Sequence, residues 1–233
     1  MGNHYKIADL VVEMDVSGRT AQQAIPYAIE VDGLPDLRIR CDAAETLRLN
    51  TQLGNEDDAL YVGTGVLFAR SLPDFNGFQL HASAVVVDGK AYLFSAPSGT
   101  GKSTHAEKWC RLFGAEYLND DKPALRQASG VWMAYGTPWS GKHDLSKPQG
   151  VPLGGIAFLE RGENHIQRLT PAQALPMLMS QCARMLPKER LERFLSLADH
   201  LLRNVPIWML TCRNEDAAAV LSHKAMAGEE AKT

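Results

Sequence analysis

The sequence predicts an α/β fold, a sheet with flanking helices preceded by a β-rich N-terminal part. Three observations predict it. An apolar run from Ala91 to Ser95 leads into a glycine-spaced turn and then a helix-compatible run beginning near Lys102. A second strand-like run, Glu116 to Leu118, ends in Asn119-Asp120-Asp121. Beyond Thr170 the apolar residues fall mainly at helical spacing.

Composition sets the frame. The 233 residues suffice for one large domain or two small ones, and we expect a division into residues 1–75 and 76–233. An apolar fraction of 45 % and a charged fraction of 22 % are ordinary for a globular chain. The formal net charge of −3 counts against a nucleic-acid partner bound through a basic surface. Cys41, Cys110, Cys182 and Cys212 are far apart, which suits reduced thiols and argues against structural zinc. No stretch approaches the length needed to span a bilayer, and MGNHYKIADL has neither a signal-peptide core nor a cleavage site. Met1-Gly2 is followed by Lys6 where a myristoylation motif wants Ser or Thr. The expectation is a cytoplasmic protein with no membrane partner.

Along the chain, Tyr5 to Val16, Ala24 to Val31 and Leu37 to Cys41 read as strands, with Leu47 to Leu49 a weaker one. Asn55-Glu56-Asp57-Asp58 reads as a solvated acidic turn before the apolar stretch Ala59 to Arg70. Phe78 to Val87 and Lys90 to Ser95 flank Asp88-Gly89, a strong hairpin signal, and His81 falls in the first arm. Ser103 to Phe113 is helical, with Trp109, Leu112 and Phe113 apolar, and Gly114 ends it. Ala124 to Arg126 and Val131 to Tyr135 form a second hairpin around Ser129-Gly130. The loop from Gly136 to Asp144 offers Lys142 and His143 to a ligand or to solvent. Val151 to Leu159 is a strand opening into Glu160-Arg161-Gly162. Thr170-Pro171-Ala172-Gln173 is a capping box for a helix to about Leu186. Pro187 starts another helix, whose stripe Leu191, Phe194, Leu195, Ala198 and Leu201 is core or the interface of a homo-oligomer. Pro206 to Cys212 is a last strand, Asn214-Glu215-Asp216 caps a last helix, and a frayed tail follows from Gly228.

The turn after Ser95 carries the chemistry. Ala96 to Ser103 fits the Walker A spacing, with Ala96 where the first glycine is usual; the loop tolerates it if φ stays negative. Gly99 and Gly101 let backbone N–H groups face inward at a helix N-terminus, with Ser98 and Thr100 between and beside them. Lys102 brings charge to the terminal phosphates of a nucleotide, Ser103 offers a hydroxyl to Mg²⁺, and Thr104 supports the helix start. A strand ending in Asp120-Asp121 supplies what a Walker B position requires: one acid for the metal, the other to accept a proton. Arg161, at a strand end, can reach a phosphate.

His81, the Ser98–Ser103 loop, Asp120 with Asp121, and Arg161 follow one another in an order that resembles the HPr kinase/phosphorylase family, relatives of the phosphoenolpyruvate carboxykinases. The resemblance covers Phe78 to Gly162. It implies a P-loop carboxykinase/HPr-kinase-like mixed sheet and an ATP- and Mg²⁺-dependent transfer of the γ-phosphoryl group to a hydroxyl, seryl on a protein or peptide. In that reading Lys102 and the loop hold the phosphates, Ser103 and Asp121 position Mg²⁺, and Asp120 orients or deprotonates the acceptor with His81 nearby. The rival readings are a nucleotide-binding regulatory protein without transfer activity and a small-metabolite kinase or NTPase.

Overall fold

The structure is a computed structural model that describes residues 4–182, 186 and 188–228. The chain opens with β1 (His4–Ile7), β2 (Leu10–Met14), α1 (Gly18–Ala24), β3 (Leu37–Ile39), α2 (Ala43–Leu49) and α3 (Glu56–Ser71). It continues through β4 (Gly77–Gln79), β5 (Ala82–Val87), β6 (Lys90–Ser95), α4 (Lys102–Phe113), β7 (Glu116–Asn119), β8 (Ala124–Ala128) and β9 (Val131–Tyr135). The last part holds β10 (Gly150–Arg161), β11 (His165–Arg168), α5 (Pro171–Gln181), α6 (Lys188–Asn204), β12 (Ile207–Cys212) and α7 (Asp216–Met226). The expected helix start at Pro187 and the tail beyond Gly228 lie outside the described residues.

The first segment departs from expectation. Residues 1–75, expected to be β-rich, are mostly helical where they are regular. The acidic quartet is not a free turn: the Asn55 side chain accepts from Asp58 N–H, and Glu56, Asp57 and Asp58 fill the first turn of α3. A side-chain cap and acids at the positive end of the helix dipole start a helix that an apolar run alone does not announce. Leu47 to Leu49 ends α2, capped in the same way by Asp42. Ala24 to Val31 is broken by Pro26 into the end of α1 and a short 3₁₀ turn, Ile25–Tyr27. What remains of the expected strands is a three-stranded sheet, β1 antiparallel and β3 parallel to β2.

The main sheet is mixed, and its centre is parallel. β6, β10 and β12 run side by side in one direction; β5 pairs antiparallel with β6, and β7 with β5. β10 joins this half to the antiparallel set β4-β8-β9 by pairing its first residues with β9. It changes neighbours at Gly154-Gly155, where a Cβ would meet the Tyr92 ring at 2.7 Å or the Trp208 ring at 2.3 Å. The Asp88-Gly89 hairpin forms as expected, but the run from Phe78 splits into β4 and β5 because Leu80 bridges to Cys182 and the His81 N–H donates to the Gln181 carbonyl. β11 pairs antiparallel with β12.

One face of the sheet buries α5 and α6 through Leu178, Phe194, Ala198 and Leu201; the other buries α4 and α7 around Trp109 and Phe94. Leu191 and Leu195 of the expected α6 stripe stay exposed. A third cluster joins β1, β2 and α3 to Ala124, Tyr135 and Trp139, so the N-terminal segment shares a core with the main sheet. Among the described residues no helix is long and apolar enough to cross a membrane.

Two glycines separate steric from conformational demand. A Cβ at Gly136 would sit 1.9 Å from the Lys147 carbonyl oxygen and 2.7 Å from that of Leu118, both backbone; Gly89 has open space but φ +73°. Gly136→Ala is expected to cost about 2–3 kcal/mol and Gly89→Ala about 1 kcal/mol, measured by urea unfolding. Equal costs would contradict this packing.

Candidate functional site

The carboxyl ends of β6, β7, β10 and β12 all emerge at one edge of the sheet, the usual place for a ligand in open α/β sheets. β6 delivers the glycine loop there. Gly99 and Gly101 have φ +79° and +121°, with nothing within 4 Å of where a Cβ would be, so the loop presents bare backbone at the start of α4. Ala96 is buried and is not among the residues with positive φ, which meets the condition its Cβ imposes. Lys102 is 7 % exposed, and its ammonium donates to the Ala96 carbonyl at 3.0 Å and the Pro97 carbonyl at 3.5 Å. One proton remains for a phosphate oxygen. Burial pushes the Lys102 ammonium down, with Lys122 adding to the effect and Asp121 opposing it, so lysine and acid lie within electrostatic reach.

The acid turn is held from beneath. The Asn119 side chain accepts from Asp121 N–H at 2.9 Å and Lys122 N–H at 2.6 Å, while its amide donates to the Thr137 carbonyl at 3.0 Å. The two acids that follow point to different surroundings. The Asp120 carboxylate accepts from the backbone N–H groups of Gly141 and His143; it is 3 % exposed, and burial pushes its pKa up. Asp121 instead pairs with His81, Nε2 to Oδ1 at 3.1 Å, and with the Lys122 ammonium at 2.6 Å. Burial alone would raise the Asp121 pKa, but the hydrogen bonds from His81 and Lys122 overcome it and hold the carboxyl at about 2. The other ring nitrogen of His81 lies 3.1 Å from Gln181 Oε1.

Ser83 ties loop to turn. Its hydroxyl donates to the Asp120 carbonyl at 3.1 Å and lies 3.3 Å from the Ser103 hydroxyl. Tyr117 OH donates to the Ser103 carbonyl at 2.9 Å. The structure thus gathers His81, Ser98, Lys102, Ser103 and Asp121 around one end of the loop. Arg161 joins from the other side, donating to the Gly99 carbonyl at 2.6 Å.

The loop is a partition between two spaces. A cavity of about 730 Å³ is lined by Pro97 and Ser98, by His81, Asp121 and Lys122, and by α3. A cleft of about 610 Å³ is lined by Gly99, Thr100, Gly101, Thr104 and Arg161, with Lys108 and Arg213 at its rim. Asp120 lines neither, and the exposed Lys142 and His143 side chains also stand outside both. Reading the sequence missed Ser83, Asn119, Lys122 and Gln181. Lys122, directly after the acid pair, and Asn119, directly before it, were the ones with a local signal; Ser83 and Gln181 act through contacts 20 or more residues away along the chain.

Among the described residues no group of three or more His, Cys, Asp or Glu side chains is placed to hold a metal ion. A Mg²⁺ bound with a nucleotide does not need one, because it keeps several waters and takes one or two protein oxygens beside the phosphates. By their chemistry the Ser103 hydroxyl and the Asp121 carboxylate would be the oxygens to hold it, beside the glycine loop and Lys102.

No described family and no curated protein matches the chain. Among solved structures, one that is similar is the HPr(Ser) kinase/phosphatase from Coxiella burnetii, at 12 % identity and a TM-score of 0.40. The match covers 66 % of this chain and 99 % of that one.

The Asp121 pairing has a measurable sign. A carboxyl depressed in the folded state stabilises the fold above its unfolded value of about 3.9, and that contribution is lost as pH falls through about 2. Carboxyl NMR titration is expected to place the Asp121 midpoint near 2, and higher in His81→Ala. An ordinary midpoint, unmoved by that substitution, would remove the His81 pairing.

Proposed function

We propose that the chain is a phosphotransferase that moves the γ-phosphoryl group of Mg·ATP to a hydroxyl, seryl in the first instance, of a peptide or protein. The observation that carries this reading is the His81–Asp121 pair, 3.1 Å apart, facing a cavity whose neighbouring wall is the phosphate loop. The cleft beyond the loop, with Arg161, Lys108 and Arg213, suits the rest of the nucleotide. An acceptor entering the cavity would then meet the terminal phosphate at Ser98 and Lys102, on the side away from the leaving group.

The residues divide the work. Lys102 and the loop N–H groups hold the phosphates and offset charge that builds on them. Mg²⁺, when bound, supplies further charge neutralisation at the phosphate oxygens. Asp121 carries two oxygens with about four acceptor sites; His81 and Lys122 use two of them, and the rest serve the acceptor hydroxyl and a water of the metal shell. In the transfer, the bond from the γ-phosphorus to the bridging oxygen breaks and a bond to the acceptor oxygen forms. The hydroxyl proton passes to Asp121 and on to solvent, and ADP leaves. A carboxylate held near 2 orients the hydroxyl more than it strips it early, which suits a loose transition state in which the proton departs late.

This moves the base from Asp120, where the sequence put it, to Asp121. Both Asp120 oxygens accept backbone N–H groups of the 136–144 loop, so its role here is to anchor that loop. With [γ-³²P]ATP and a serine peptide library, Asp121→Asn is expected to lower kcat by about 100-fold or more while leaving ATP affinity nearly unchanged. Asp120→Asn is expected to lower the unfolding midpoint first. Transfer at the wild-type rate by Asp121→Asn overturns the proposal.

A further inference from the structure

α3 is apolar on two faces; one packs into the core, and the other leaves Val62 and Val66 exposed. Tyr61, Thr64 and Phe68 turn into the core, where Phe68 stacks on Trp139 at 4.9 Å between ring centres. Val62, Gly65, Val66 and Ala69 fall at i, i+3, i+4 and i+7, one stripe of the helix, and all four line the cavity beside His81 and Asp121. Val62 is 37 % and Val66 40 % exposed. Gly65 belongs to the stripe for a steric reason: a Cβ there would lie 2.9 Å from the Trp139 ring, so its absence lets the indole complete the wall.

The charges in the cavity are spoken for. Among the described residues its lining offers one lysine, Lys122, which is bound to Asp121, and no arginine. An acceptor that brought its own phosphate or carboxylate would face that committed pair on one side and α3 on the other, at a large desolvation cost. Gln79, Ser98, Ser140, Ser180 and Gln181 add neutral amides and hydroxyls of the kind that pair with peptide groups. A space of about 730 Å³ admits a short chain segment rather than one small alcohol.

We infer that the α3 stripe Val62–Val66–Ala69 reads an aliphatic or aromatic residue next to the acceptor serine, so that the substrate is a peptide segment with an uncharged, apolar flank. This rests on the phosphotransferase reading of the same cavity and adds the specificity to it.

The test is binding to the full chain loaded with Mg²⁺ and a non-hydrolysable ATP analogue, by calorimetry. The probes are acetyl-Leu-Ser-Leu-amide, acetyl-Asp-Ser-Asp-amide, acetyl-Lys-Ser-Lys-amide and 1-pentanol. The leucine peptide is expected to bind at least about tenfold tighter than the other three. Val66→Asp, and separately Val62→Asp, are expected to abolish that preference without changing the unfolding midpoint or the nucleotide affinity, since both positions are partly exposed. No preference, no binding of the leucine peptide, a preference untouched by both variants, or pentanol binding equally well each overturns the inference. Selective binding without phosphoryl transfer from ATP supports the specificity and sinks the transferase reading. Transfer to the charged peptides at equal rates does the reverse.

Discussion

A single buried amide sets the geometry at the edge of the sheet. Asn119 is fully buried, its carbonyl oxygen accepting two successive backbone N–H groups of the acid turn and its amide donating into the loop that begins at Gly136. A buried side chain with every valence used has one position and no near-degenerate alternative. From that position follow the direction in which Asp121 leaves the strand, the closeness of the 136–144 loop to Asp120, and through the loop the placement of Trp139 against α3. Ser83 adds the lateral tie by holding the Asp120 carbonyl and the Ser103 hydroxyl on either side of one oxygen. The glycine loop and the acid turn are therefore tied to each other through Ser83 of β5.

The parallel strands explain why a loop can serve as a wall. β6, β10 and β12 end together, so the chain leaving β6 must rise between the exits of its neighbours. On one side it meets Arg161 and the residues after Cys212; on the other it meets the acid turn. Lys102 lines neither space, and the loop's own carbonyls take two of its three ammonium protons. Its charge is felt through the loop, and burial keeps that charge from being screened.

Much of this was legible in the residues, because its causes are local. The strand, glycine turn and helix around Lys102, the Asp88-Gly89 hairpin and the Thr170 capping box all depend on neighbours within a few positions. α3 was hidden because it is apolar on both faces: a helix with two buried or cavity-facing sides shows no amphipathic period, and its run of valine, glycine and threonine looks like strand. The break between β4 and β5 was hidden because its cause, the bridge from Leu80 to Cys182, lies about a hundred residues away. Asp120 and Asp121 are indistinguishable in sequence. What separates them is which one the 136–144 loop reaches first, and only the folded chain decides that.

The groups proposed to hold the phosphates and the apolar cavity wall come from separate stretches, the former from residues 81–161 and the latter from one face of α3. A substitution on that face leaves Lys102, Ser103 and Asp121 untouched, since none of them contacts it through a hydrogen bond or ion pair. On the proposed reading, selection can thus retune which client is accepted by redecorating a single helical surface. The engine and its clientele are free to evolve at different speeds.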